Sequence, residues 1–166
     1  MKSVDIKNAS KPAAAPIELA RAPFSHSFKI SEGVWREALA RAELDEIAGI
    51  RHVELGGDAS WCLHIAEIAD KVACHVHTAG VEVYEILAGE GNLFSGPVDK
   101  IGGEYCSRRC DELSVKSGDV FNVPEGYAHQ LVRKSAEPLV IIFACPDSHL
   151  TSDRIILPDL FAGLSI

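Results

Sequence analysis

No run of lysine and arginine in this 166-residue chain is longer than two, and its 16 basic residues are outnumbered by 24 acidic ones, for a net charge of -8 at pH 7. The electrostatic footprint of a polyanion binder is missing, so neither nucleic acid nor an anionic membrane is an expected partner. No apolar stretch approaches the 18 residues that span a bilayer, and the N-terminus lacks the apolar core of a signal peptide, so a cytoplasmic location is expected. Cysteine is scarce and odd in number. Cys62, Cys74, Cys106, Cys110 and Cys145 are expected as free thiols in a reducing compartment. Cys106 and Cys110, four apart, admit a zinc or redox reading, but no second cysteine pair lies nearby, which favours incidental thiols in an insertion.

Large apolar side chains are almost absent from Met1 to Pro16, a stretch that cannot repay its own ordering entropy. Residues 1–22 are therefore expected as a flexible segment, 23–50 as an extension with one helix, 51–146 as a barrel, and 147–166 as an apolar tail. With 47% hydrophobic residues the chain can bury one good core and is too short for two. Phe24, His26, Phe28 and Ile30 alternate as in a short strand. From Glu32 to Ala48 the period turns helical, with Trp35, Leu39 and Ala42 on one stripe and Gly49 as the stop. Trp35 reads as a buried anchor ahead of a pocket lid.

Beyond Arg51 alternation dominates. Segments 51–55, 61–69, 81–88, 92–95, 112–116, 120–123, 128–134 and 138–144 read as strands, broken by turn sequences such as Gly56-Gly57-Asp58, Gly89-Glu90-Gly91 and Pro124-Glu125-Gly126. Residues 96–111 are less regular and read as an insertion. Many short strands with helix only at the start predict an all-β antiparallel sandwich or barrel. The tail Ile155-Ile156-Leu157-Pro158-Asp159-Leu160-Phe161 needs a surface, either its own barrel or a neighbouring copy.

Within this pattern the histidines are unevenly spread. His75 and His77 are two apart, a step of about 6.6 Å along an extended strand, so both imidazoles can lean toward one point. The four residues to Glu82 suit a hairpin loop that would bring the carboxylate across from the imidazole. His129 follows the turn Pro124-Glu125-Gly126-Tyr127 and has to arrive by long-range pairing. His26, His52, His64 and His149 lie outside this constellation and are expected in structural or surface roles.

These residues resemble the two motifs of the cupin superfamily, its small single-domain conserved-barrel members in particular. His75, His77, Glu82 and Gly89 match the first motif; Gly118, Pro124, Gly126 and His129 match the second. Ala69 stands where the first motif opens on glycine, and Arg133 where the second closes on asparagine. The resemblance implies an antiparallel jelly-roll barrel, here with an N-terminal helix, and a homodimer. It also implies a metal held by His75, His77, Glu82 and His129. Three imidazoles and a carboxylate suit one divalent transition metal, Mn, Fe, Ni, Co, Cu or Zn, with open positions for chemistry on a small-molecule ligand.

By strand alternation Tyr84 shares a side with Glu82, and Arg133 with His129. Tyr84 is either a proton-transfer group or a packed aromatic. Arg133 is either an inward anchor for carboxylate or phosphate or a surface charge. Both are carried as catalytic candidates. The expected function is a metalloenzyme acting on a small oxygenated metabolite, with sugar-phosphate isomerisation slightly ahead of dioxygenation. The alternative is a non-catalytic module that binds or senses a small ligand.

Overall fold

The computed structural model describes residues 27–160 except residues 59 and 108. The expected N-terminal segment, Phe24 and His26 of the predicted first strand, and the chain from Phe161 onward lie outside the described residues. Residues 27–30 form no strand.

Helix α1 (Glu32–Leu39) is followed by β1 (Glu43–Asp45), β2 (Ile50–Gly57), β3 (Cys62–Ile68), β4 (His75–Val76), β5 (Glu82–Ala88), β6 (Glu90–Ile101), β7 (Glu104–Ser107), β8 (Asp111–Lys116), β9 (Val120–Val123), β10 (Tyr127–Arg133), β11 (Leu139–Cys145) and β12 (Ile155–Ile156), with a 3-10 turn at Asp147–Leu150 before the last strand. Two sheets form, in the orders β1-β2-β3-β11-β5-β9 and β12-β4-β10-β6-β7, with β8 also on β6. Every pairing is antiparallel. This is the jelly roll that the strand pattern and the motifs predict.

The predicted helix over 32–48 ends at Leu39, and its second half is β1. The chain leaves the helix because the carbonyls of Leu39 and Ala42 find the Arg51 guanidinium, at 3.4 and 3.0 Å, and Glu43–Asp45 gain a ladder on β2. The Asp45 carboxylate then accepts from the Ile47 and Ala48 N–H groups, and Gly49 at φ 73° completes the turn. The irregular insertion predicted over 96–111 is mostly ordered ladder. β6 runs on to Ile101 and turns back as β7.

Burial falls into three layers. Ala66, Ile68, Ile86, Leu93, Phe121, Leu131, Leu139, Ile141 and Phe143 fill the space between the sheets. Trp35, Ala38 and Leu39 of α1 cover Ile65, Val140 and Ile142 on the outer face of the first sheet, which makes Trp35 a packing anchor. Strand β11 is thus buried on both faces, which explains its unbroken apolar run. Val76 and Ala128 on the outer face of the second sheet lie under Ile155, Leu157 and Leu160, so the tail as far as Leu160 folds onto its own barrel. Among the described residues no helix is long and apolar enough to cross a membrane.

Candidate metal centre

His75 pairs with His129 across β4 and β10, which sets two imidazoles side by side with ring centroids 4.2 Å apart. His77 follows at 4.9 Å from His75. Its position is held from the second motif, because the Gly126 N–H donates to the His77 carbonyl at 2.8 Å. Gly126 sits at φ 73°, a conformation that favours glycine.

The predicted hairpin between His77 and Glu82 is not formed. β4 and β5 belong to different sheets, so the 78–81 segment turns a corner and the carboxylate meets the imidazoles across the barrel interior. The physical reason lies in competing partners. The edges of β5 are taken by β9 and β11, and those of β4 by β10 and β12. His75, His77, Glu82 and His129 still converge, all buried, with their ligand atoms within 4.8 Å of one another.

The outward nitrogens of the three rings are all occupied. Nδ1 of His75 meets the Ala73 carbonyl at 2.7 Å, that of His129 the Tyr127 carbonyl at 3.2 Å, and that of His77 the Asp153 carbonyl. A carbonyl oxygen only accepts, so each Nδ1 carries the proton and each Nε2 faces the cluster. Ligating histidines are typically oriented in this way. His77 Nε2 is buried without a hydrogen-bond partner, and Glu82 Oε2 lies 2.9 Å from His129 Nε2 and 3.5 Å from His77 Nε2. An orphaned inward nitrogen beside a buried carboxylate and two further imidazoles fits a divalent cation.

Electrostatics agree with this geometry. Burial, with His129 close by, pushes His75 down to about 3, so its ring is neutral and able to ligate. Burial works to raise the Glu82 carboxyl, but the imidazoles of His129, His149 and His77, close around it, outweigh burial and hold the group well below the usual carboxylate range. Tyr84 donates to Glu82 Oε2 at 2.6 Å and lies 3.3 Å from His129 Nε2; burial and the Glu82 charge push its hydroxyl well above the ordinary value.

Arg133 stands apart from this cluster. It closes β10 opposite Gly91, and its guanidinium donates to the Ser135 and Ala136 carbonyls at 2.9 and 2.7 Å. Those carbonyls satisfy it locally. The arginine that does line the cavity is Arg154, paired with Asp45 at 2.6 Å.

His149 was predicted outside the site and belongs to it. Its ring is buried, lies on His77, places Nδ1 3.5 Å from Glu82 Oε1 and donates from Nε2 to the Ala79 carbonyl at 2.6 Å. No sequence signal marks it, since the 3-10 turn that brings it back follows β11 at the far end of the chain. Beside these groups is a cavity of about 30 Å³, walled by Ala48, Ile50, Val72, Leu131, Ile141 and Phe143.

No protein-family model matches the chain, and no curated protein matches it. Solved structures do. One is an uncharacterized conserved protein with a double-stranded β-helix domain from Klebsiella pneumoniae, at 16% identity and TM-score 0.55, covering 81% of this chain and 100% of that one. Oxalate decarboxylase of Lactobacillus farciminis matches at 15% identity and TM-score 0.55 over 74% of this chain. The fold is that of the cupins. L-ribose isomerase of Cellulomonas parahominis shares this architecture, at 14% identity and TM-score 0.54, over 66% of this chain and 70% of that one. The chain spans 35% of the length of the oxalate decarboxylase.

Proposed function

We propose that this cupin is a divalent-metal-dependent enzyme that moves a proton on a small oxygenated metabolite, with His75, His77, Glu82 and His129 as ligands. The observation that carries the reading is the Tyr84 hydroxyl, buried and 2.6 Å from one of those ligands. A bound Mn, Fe, Co, Ni, Cu or Zn ion would supply Lewis-acid polarisation of a substrate carbonyl or hydroxyl oxygen. Tyr84, kept protonated by burial and by Glu82, holds a proton for the oxygen or carbon where charge develops. His149, buried with Nδ1 3.5 Å from Glu82 Oε1, lines the same cavity. The apolar walls exclude water from between them.

Arg133 gives no support to a phosphate-bearing substrate. The cation on the cavity wall is Arg154, and a substrate carboxylate would have to compete with Asp45 for it. Compact, uncharged or singly charged hydroxycarbonyl compounds fit this site better than sugar phosphates. The small apolar cavity also favours a second reading, oxygenation with dioxygen as co-substrate, which needs a redox-active ion.

Metal analysis of protein purified without added metal tests both. One equivalent of metal present in the wild type and missing from His77→Ala and His129→Ala, with the far-ultraviolet circular dichroism intact, is expected. Full occupancy in either variant would mean that the ligand assignment is wrong, and zinc alone would remove oxygenation. Solvent deuterium entering a panel of aldoses, ketoses and hydroxy acids reports proton transfer. Thermal stabilisation by a panel member without exchange or turnover, with any reconstituted metal, would make the protein a binding module.

A further inference from the structure

A second group of metal-ligating side chains, sharing no residue with the first, lies on β2 and β3. Cys62 and His64 alternate on β3 and so share a face. Glu54 on β2 is the direct cross-strand partner of His64, and the ladder is irregular between Glu54 and Gly56, a bulge of the kind that re-aims a side chain. The ligand atoms of Glu54, Cys62 and His64 all fall within 4.8 Å of one another. A fourth candidate donor stands beside Cys62 alone, whose thiol donates a hydrogen bond to it. Asp147 Oδ1 is 2.6 Å from Cys62 Sγ, brought there because β11 pairs Cys145 with Cys62 and Asp147 follows two residues later.

The observation that turns this group into a site is the state of His64. Its ring is 3% exposed, and both ring nitrogens are buried without a hydrogen-bond partner. Stacking on Phe143 at 5.1 Å satisfies the ring's apolar face and leaves the nitrogens unpaired. An aliphatic or aromatic residue would pack there at no such cost, whereas a buried polar group is ordinarily paired. One lone pair of a neutral imidazole aimed at a thiol and a carboxylate is what a cation would use.

We infer that Glu54, Cys62 and His64, completed by Asp147, form a second divalent-cation site, of the mixed thiolate, imidazole and carboxylate type that zinc takes. Zinc binds such donors at about 2.0–2.3 Å in a tetrahedron, so Glu54, Cys62 and His64, within 4.8 Å of one another, and Asp147 beside Cys62 have to draw in by ångström-scale side-chain movement, and the Cys62 thiol has to give up the proton it shares with Asp147. Glu54 is exposed and gives the ion a way in; Cys62 and His64 are buried and hold it. None of the four belongs to the first cluster. The site would nevertheless act on it, because Asp147 opens the 3-10 turn that seats His149 on His77. A cation tying β2 and β3 to that turn fixes the ring in place.

The test uses the full chain, stripped of metal and titrated with Co²⁺ alone, read by thiolate-to-cobalt charge-transfer absorption in the near ultraviolet. The absorption is expected to develop in the wild type, to vanish in Cys62→Ser and to weaken in His64→Gln. It is expected to persist in His129→Ala, which breaks only the first cluster, so failure of the first site and failure of this one give different results. No thiolate absorption at saturating cobalt, or its survival in Cys62→Ser, overturns the inference. Should Cys62→Ser not fold, zinc-edge X-ray absorption on Zn²⁺-loaded His129→Ala protein decides instead. A sulfur neighbour at about 2.3 Å supports the site, and a shell of nitrogen and oxygen alone overturns it.

Discussion

The ring of His149 lies flat on the ring of His77, with centroids 3.8 Å apart and 2° between their planes. One ring is a candidate ligand, and the other comes from a turn 72 residues further along the chain. The stack holds His77 from one side while the Asp153 carbonyl holds its Nδ1 from the same segment. The segment after β11 thus serves as an outer support for the candidate metal centre. Thr78 and Ala79 N–H groups donate to the Asp153 carboxylate at 2.9–3.0 Å and close the same contact from the other direction.

Supporting groups of this kind are worth about 10–100-fold in metal affinity. His149→Ala should therefore weaken metal binding by about that factor, while His149→Phe, which keeps the stack and loses the polar contacts, should weaken it less. Competition with a chromogenic chelator measures both. Equal losses in the two variants would assign the effect to Glu82 and Ala79 rather than to stacking.

Acid should destabilise the metal-free protein through His75. Its folded value is about 3, below the ordinary histidine value, so between those limits the unfolded chain binds a proton that the folded chain does not. Stability therefore rises with pH across that window and is lost as pH falls through it. His149 is shifted the other way: burial lowers it, but the nearby Glu82 carboxylate and the bond to the Ala79 carbonyl prevail and raise it, so its contribution is present at low pH and lost as pH rises. Urea midpoints at a series of pH values, wild type against His75→Gln, separate the two. The variant should show the smaller loss on acidification.

Two motif glycines should respond unequally to alanine. Gly126 and Gly89 both adopt positive φ, 73° and 82°. A Cβ at Gly126 meets nothing within 4 Å, whereas at Gly89 it would come 2.6 Å from the Pro138 carbonyl oxygen. Gly126→Ala should cost only the backbone preference, about 1–2 kcal/mol. Gly89→Ala must also displace the chain entering β11 and should cost more. Equilibrium denaturation gives both values, and a reversed order would contradict the packing around Pro138.

Trp35→Ala should lower stability by about 3–5 kcal/mol and leave metal content unchanged. The side chain is 6% exposed and packs with Ile65, Val140 and Ile142 on the outer face of the first sheet, away from the cluster. Loss of metal at a temperature where the variant remains folded would show that the helix reaches the site.

The strands, their breaks and the ligand types were legible in the sequence because each rests on local pattern: alternation along β3 and β10, turn chemistry at Pro124-Glu125-Gly126, two imidazoles one residue apart. The extent of α1 was not. Ala40–Ala48 carries a helical stripe as plausible as the one before it, and what ends the helix is Arg51 and the ladder on β2. Alternation also put Arg133 on the face of His129 correctly in period, but period says nothing of the Ser135 and Ala136 carbonyls that claim its guanidinium.

By itself the sequence determined that a β-barrel would form and pointed to the four side chains that converge inside it. The tertiary structure alone decided that Glu82 comes from the opposite sheet, that His149 and Arg154 join the cavity, and that Glu54 nears Cys62 and His64 while Asp147 reaches Cys62. Residues near in sequence reveal themselves through periodicity, whereas meetings between distant strands depend on which edges pair, and that is settled only when the whole barrel closes.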